Sequence, residues 1–268
     1  MKYVDIHCHL DSSDYETDRG VILARMKEEE IGAITIGTDL ESSKKAVEIA
    51  EANENVWACI GVHPDKALET VLFNFSPEGI FEELIKNQKV VGIGECGLDY
   101  FKLKNESDKI IQKNLFESQI QFAVKYNKPL MLHVRSSSRD NFDAYKDVLD
   151  ILENYKKQYK EKLRGNVHFF AGDISIAKKF LDLGFTMSFT GVITFTHDYD
   201  EVIKYLPKDS IMSETDAPWV APVPFRGQRN EPPYVVEVIK KMAEIRGENF
   251  EVLNSAIIEN AKRVFIAS

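Results

Sequence analysis

Apolar, β-rich runs alternate with amphipathic, charged runs from one end of the chain to the other. The apolar runs predict strands at Tyr3–Leu10, Ala33–Thr38, Val56–His63, Val90–Glu95, Leu130–Arg135, Asn166–Phe170, Phe185–Phe189 and Ile211–Asp216. Helical spacing falls between them, at Asp18–Glu30, Glu41–Ala52, Pro77–Asn87, Asp108–Tyr126, Asp140–Tyr159, Ser175–Leu183 and Asp198–Leu206. Two more helices, Pro233–Arg246 and Phe250–Phe265, close the chain. Strict strand–helix alternation predicts an α/β protein with a parallel sheet closed on itself. The expectation is a single (β/α)8 TIM-type barrel over residues 1–268, with extra C-terminal helices. An open doubly wound sheet is the alternative, but no glycine-rich phosphate fingerprint follows the first strand.

Composition narrows the function. At 268 residues and 44% hydrophobic, the chain has material for a large core. A formal charge of −9 and a pI near 5.3 argue against non-specific coating of duplex nucleic acid. They leave room for an enzyme that grips a few phosphates locally. Cys8, Cys59 and Cys96 are scattered without CxxC spacing, which reads as reduced, buried thiols. Asp5 and His7 interrupt the place where a signal peptide needs an apolar stretch, and no apolar run reaches transmembrane length. The expectation is a soluble cytoplasmic protein with no membrane contact and no obligatory protein partner. Lys156–Lys162 is charge-rich but broken by Glu161, and reads as a solvated helix end.

In such a barrel the active site sits at the C-terminal ends of the strands. The first strand carries His7 and His9, which share a face while Cys8 points away. Taken alone, that dyad is equally a hydrogen-bonded strand pair or a seat for a divalent ion. Other strand ends add His63, Glu95, His133, His168 and Asp216. Five of the six histidines fall on this one rim; His197, at a helix start, reads as a surface residue. A His7/His9/Glu95/His133/His168/Asp216 set suits two divalent ions sharing a bridging carboxylate, with Glu95 as the candidate bridge. The other reading of Glu95 is a core carboxylate paired with an arginine, a costly choice in a strand flanked by Gly92, Gly94 and Gly97. Asp216, before Ala217-Pro218, is a metal ligand and proton acceptor or the N-cap of a turn. Glu214, on the same face, is read as orienting the ligands.

Ala217–Pro233 is the one long stretch of loop chemistry and holds five prolines. Arg226, Arg229 and Asn230 within it suit phosphate binding, as does Arg135 on the face of His133. The competing reading pairs the loop arginines with surface carboxylates. Trp219 and Phe225 suit either stacking on a base or loop packing.

This constellation resembles the TatD-type metal-dependent deoxyribonucleases, a branch of the amidohydrolase-like barrels. The resemblance rests on His7-Cys8-His9, Gly61-Val62-His63-Pro64, Gly94-Glu95-Cys96-Gly97-Leu98-Asp99-Tyr100, His133-Val134-Arg135, His168-Phe169-Phe170-Ala171-Gly172, Glu214-Thr215-Asp216-Ala217-Pro218 and the Pro222–Pro232 loop, in family order across nearly the whole chain. It implies that His7, His9 and Asp216 hold one ion, that His133 and His168 hold the other, and that Glu95 bridges. It also implies magnesium, manganese or zinc and phosphodiester cleavage in DNA. The chain departs from the family pattern at Asp65, where many relatives have a second histidine, and at Ala171, where many have serine or threonine.

The expected enzyme is a hydrolase that opens phosphodiester bonds of DNA or an oligonucleotide with hydroxide bridging two divalent ions. Asp216 accepts the proton, Arg226 or Arg229 steadies phosphoryl charge, and His63 contacts the phosphate or assists the leaving oxygen. The alternative is a hydrolase of C–N or carboxylic ester bonds on the same site. A non-catalytic nucleic-acid binder fits poorly with the acidic charge and with convergent ligands.

Overall fold

A computed structural model describes residues 1–71, 76–103, 105–138 and 142–266 and shows an eight-stranded parallel sheet in sequential order. The strands are β1 (Tyr3–Cys8), β2 (Ile31–Ile36), β3 (Val56–Ile60), β4 (Val90–Asp99), β5 (Leu130–Arg135), β6 (Gly165–Val167), β7 (Phe185–Phe189) and β8 (Ile211–Ser213). Hydrogen bonds across the β8–β1 seam bring the ends of the sheet together. Ser213 Oγ donates to Val4 O at 2.9 Å, Asp216 N to His7 O at 2.9 Å, and His9 N to Ala217 O at 2.8 Å. The result is the (β/α)8 barrel that the alternating pattern predicts.

The helices are α1 (Arg19–Glu28), α2 (Leu40–Ala52), α3 (Ala67–Val71), α4 (Pro77–Phe81), α5 (Glu106–Lys125), α6 (Asp143–Tyr159), α7 (Ile174–Asp182), α8 (Asp200–Tyr205), α9 (Val235–Arg246) and α10 (Phe250–Ala261). Each longer helix turns one apolar stripe to the sheet. α6 buries Ala144, Tyr145, Val148, Leu149 and Leu152, which recur at the period of one helix face. Asp39 opens α2 by accepting from Ser42 N at 2.8 Å, while Asp39 N donates back to Ser42 Oγ. At the chain's end, α10 spans the starts of β1 and β8: Asn254 Nδ2 donates to Lys2 O, and Asn260 Nδ2 to Ile211 O, both at 2.9 Å.

Three differences from the sequence reading matter. The helix expected over Pro77–Asn87 is α4 followed by a 3-10 turn at Leu84–Lys86, a tighter wind that buries both Phe81 and Ile85. α3 is too short to show a period and went unpredicted; the first two residues of the helix expected at Asp140–Tyr159 lie outside the described residues. The third concerns strand ends. β1, β3, β6 and β8 stop short, so His9, His63, His168 and Asp216 sit just beyond them. β4 instead continues to Asp99, in register with β5 at Gly97 opposite His133 and Asp99 opposite Arg135.

Register slips occur in β1 between Asp5 and Cys8 and in β4 between Ile93 and Cys96. A slip of this kind re-aims the side chain within it, here His7 and Glu95. Gly97 adopts φ +138°, and a Cβ there would lie 2.1 Å from His133 O, so β5 could not approach. Cys8, Cys59 and Cys96 are free and buried, as expected. Among the described residues, no helix is long and apolar enough to cross a membrane.

Candidate metal centre

Seven side chains, at or just beyond the ends of strands far apart in sequence, converge at the C-terminal end of the barrel, and all but His7 line a cavity of about 600 Å³. Glu95 is at their centre, and its two oxygens face different neighbours. Oε1 lies 2.6 Å from His133 Nδ1, 2.9 Å from His168 Nε2 and 3.5 Å from His63 Nε2. Oε2 lies 3.4 Å from His7 Nε2 and 3.7 Å from His9 Nε2. Asp216 Oδ1 completes the second side, 3.7 Å from His7 Nε2 and 3.6 Å from His9 Nε2. The halves share a wall, because the His7 and His168 rings stack at 3.8 Å and 7°.

Neighbours on the outside fix how these imidazoles present themselves. Ile36 O accepts from His9 Nδ1 at 3.0 Å, which assigns a proton to that nitrogen and turns Nε2 inward. Asp99 Oδ2 lies 3.2 Å from His133 Nε2 and turns Nδ1 toward Glu95. Glu214 is fully buried, accepts from Phe169 N at 2.6 Å and Ser188 Oγ at 2.7 Å, and lies 3.7 Å from His168 Nδ1. Asp5 anchors the other side by accepting from Thr215 N at 2.9 Å and His7 N at 3.2 Å.

The charges are strongly coupled. Burial opposes ionisation of Glu95, but His168, His63 and His7 hold its carboxyl well below the usual range. Burial also opposes charge on His168 and His63. The adjacent carboxylates overcome it, raising His168 well above its ordinary value and His63 to about 10. His7 goes the other way, because burial and the charge on His168 outweigh Glu95. Three overlapping groups, His7/His9/Glu95, His7/His168/Asp216 and His63/Glu95/His133, each bring their donor atoms within 4.8 Å of one another. Imidazole nitrogens and carboxylate oxygens at this density fit divalent metal cations.

Not every residue expected at the site turns toward it. Arg135 lines the cavity, with its guanidinium 3.9 Å from the centre of the Phe101 ring. Arg226 is exposed and covers Phe195 at 3.9 Å. Arg229 instead forms a fork with Asp18, at 3.0 and 2.6 Å, and meets Glu231 at 3.0 Å; this is the carboxylate pairing that competed with phosphate binding in the sequence. Asn230 is buried and donates to Thr215 O at 2.9 Å and Trp219 O at 2.6 Å, so its amide holds the turn that carries Asp216. Phe225 is stacked on Tyr234 at 3.8 Å and 5°. His197 is exposed beside Asp200, as expected.

Sequence reasoning gave Asp99 no role, because it ended β4 at Glu95. The alternation Glu95, Gly97, Asp99 was the available signal, since a continued strand puts all three on one face. The task of Asp65 was also missed: its Oδ1 lies 2.7 Å from His63 Nδ1, leaving Nε2 toward Glu95. Lys66 and Phe169 also line the cavity.

Imidazoles and carboxylates gathered at the C-terminal ends of a parallel barrel's strands make a candidate metal centre, and likeness to curated metal-dependent hydrolases puts the protein in that class. Residues 4–266 match the family model described as TatD related DNase, and the chain belongs to that family. It is 37% identical to the uncharacterized metal-dependent hydrolase YabD of Bacillus subtilis, over 97% of this chain and 98% of that one. Identity to the uncharacterized metal-dependent hydrolase YcfH of Escherichia coli is 33%, over 99% and 96%. Among solved structures, the TatD homolog YJJV of Escherichia coli superposes with a TM-score of 0.83 at 27% identity, covering 98% of each chain.

Proposed function

We propose that this barrel, as one catalytic unit over residues 1–268, hydrolyses phosphodiester bonds in DNA or oligonucleotides. The observation that carries the reading is the split environment of Glu95. One oxygen faces His133 and His168, and the other faces His7 and His9 with Asp216 beyond. One divalent ion fits His7, His9, Glu95 and Asp216; a second fits Glu95, His133 and His168. Cations bound there supply Lewis acidity, lowering the pKa of water and polarising a phosphoryl group.

The chain's own groups do the rest. Asp216 is on the cavity side and takes the proton of the attacking water. His63, held by Asp65, faces the same space and contacts the phosphate or the leaving oxygen. Arg135 and Lys66 at the cavity wall place positive charge where an anionic substrate enters an otherwise acidic protein. Arg229 and Asn230 are left out of this contact set because their polar atoms are engaged elsewhere. The soluble, cytoplasmic setting expected from the sequence suits such an activity.

The test strips the protein of cations and restores magnesium, manganese or zinc one at a time. Defined DNA and RNA oligonucleotides are assayed beside cyclic amides and aminoacyl esters. Metal-dependent release of nucleotides is the expected result. Turnover of the amides or carboxylic esters in place of oligonucleotides would overturn the proposal.

A further inference from the structure

Trp219 is 51% exposed although it lines the cavity and meets His9 at 4.9 Å and 67°. A large apolar ring left open beside a polar site calls for an explanation when the backbone beneath it is fixed. Here it is fixed. Trp219 N donates to Asp216 O at 3.0 Å, and Trp219 O accepts from the buried Asn230 amide at 2.6 Å. Asp216 and the β-branched Val220 on either side both have φ +54°, a costly backbone state for such residues. A Cβ on Gly191 would come within 2.6 Å of Val220 O, so this segment is packed tightly against the β7 side of the barrel.

A second ring repeats the arrangement. Phe169 lines the same cavity, has φ +46°, and donates its N–H to buried Glu214 at 2.6 Å. Trp219 follows Asp216 closely and Phe169 follows His168 directly, so both rings stand beside the metal donors. Among the described residues, the exposed rings of Phe101 and Phe195 are already covered, by Arg135 and Arg226.

We propose that Trp219, with Phe169 as a second wall, is a stacking subsite for an unpaired nucleobase next to the phosphate to be cleaved. This rests on the phosphodiester reading. A base within a duplex is already stacked on both sides and cannot use the indole without unpairing. Stacking of one base on an aromatic side chain changes affinity roughly 5- to 150-fold.

The test has a binding arm and a cleavage arm, both on the full chain. In the first, a thymidine hexanucleotide is compared with the same strand whose sugars lack bases, following tryptophan emission. The normal strand quenches emission; the abasic strand does not, and Trp219→Phe, which keeps only Trp57, is insensitive to both. Equal quenching by the two strands, or quenching that persists in Trp219→Phe, overturns the subsite. In the second arm, Trp219→Ala and removal of the base are combined. Each alone lowers kcat/KM by roughly 5- to 150-fold, and together they lower it no further than either one, because they delete the same contact. Independent, multiplying losses overturn the subsite while leaving the phosphodiester reading intact. Absence of cleavage with every cation sinks the phosphodiester reading instead, and the fluorescence arm still decides whether Trp219 takes a base.

Discussion

Glu95→Gln keeps the volume of the central side chain and removes its charge. In the cation-free protein Glu95 accepts from His133 at 2.6 Å and His168 at 2.9 Å. Each such charge-assisted bond contributes about 1.5–3 kcal/mol. Glutamine keeps a neutral bond of about 1 kcal/mol, and His168 recovers part of the loss by giving up its proton. A net loss of about 3 kcal/mol is expected, which for a chain of this size lowers Tm by roughly 6–12 °C. The pH dependence follows from the shifts. Glu95 is held below its ordinary value, so its share is present above about pH 4.5 and lost on acidification through the depressed value. His63 and His168 are raised, so their share is full below about pH 6.5 and lost as pH rises, through about 10 for His63. The deficit of the variant is therefore largest between about pH 5 and 6.5 and shrinks toward pH 10. Thermal melts of chelated protein across that range test the stability term. Atomic emission counts bound metal, and a single-stranded oligonucleotide reports hydrolysis. Loss of one bound ion and of turnover, with the fold intact, is the expected outcome. Full metal content and full activity in Glu95→Gln would refute the bridging role, and unchanged Tm at pH 6 would refute the coupling.

Uptake of divalent cations should strengthen as pH rises from 6 to 9 and release protons, because His63 and His168 hold theirs tightly in the empty site; calorimetric titration in buffers of different ionisation enthalpy measures the number released. Asp99→Asn should weaken metal binding or activity by about 10- to 100-fold while Tm stays nearly constant, since it removes only the partner of His133 Nε2; metal titration followed by melting checks both. Arg135→Ala should raise KM for oligonucleotides, whereas Arg229→Ala should lower Tm by breaking the Asp18 fork and leave KM within about two-fold; steady-state kinetics beside thermal melts separates the two.

The barrel was legible because most strands are short and apolar and most are followed by a helix with its own period. The donor set was legible for a related reason: histidine and acid recur at matching strand ends, and no packing need explains that. The arginines were less legible. Arg229 and Arg135 have the same chemistry in sequence, and only the fold brings Asp18 to one and the cavity to the other. Asn230 shows the same limit. Its amide satisfies the backbone of a proline-rich turn, a demand that exists only after residues 215–219 fold back on β1. Asp99 and Asp65 were hidden because their tasks depend on a strand running longer than expected and on a histidine ring turned by its neighbour.

The seam of the barrel explains how so many ionisable groups stay together. The bonds that close β8 onto β1, from Asp216 N to His7 O and from His9 N to Ala217 O, also set the donor positions of Asp216, His7 and His9. Thr215 joins the same seam through Asp5. Separating these donors would therefore require opening the sheet itself. Chelation removes the attraction that cations supply, yet the two oxygens of Glu95 still answer the imidazoles on both sides and α10 still holds the far ends of β1 and β8. The donor set is built by folding rather than by the metal, so a cation finds its ligands already in place and pays little ordering entropy on arrival.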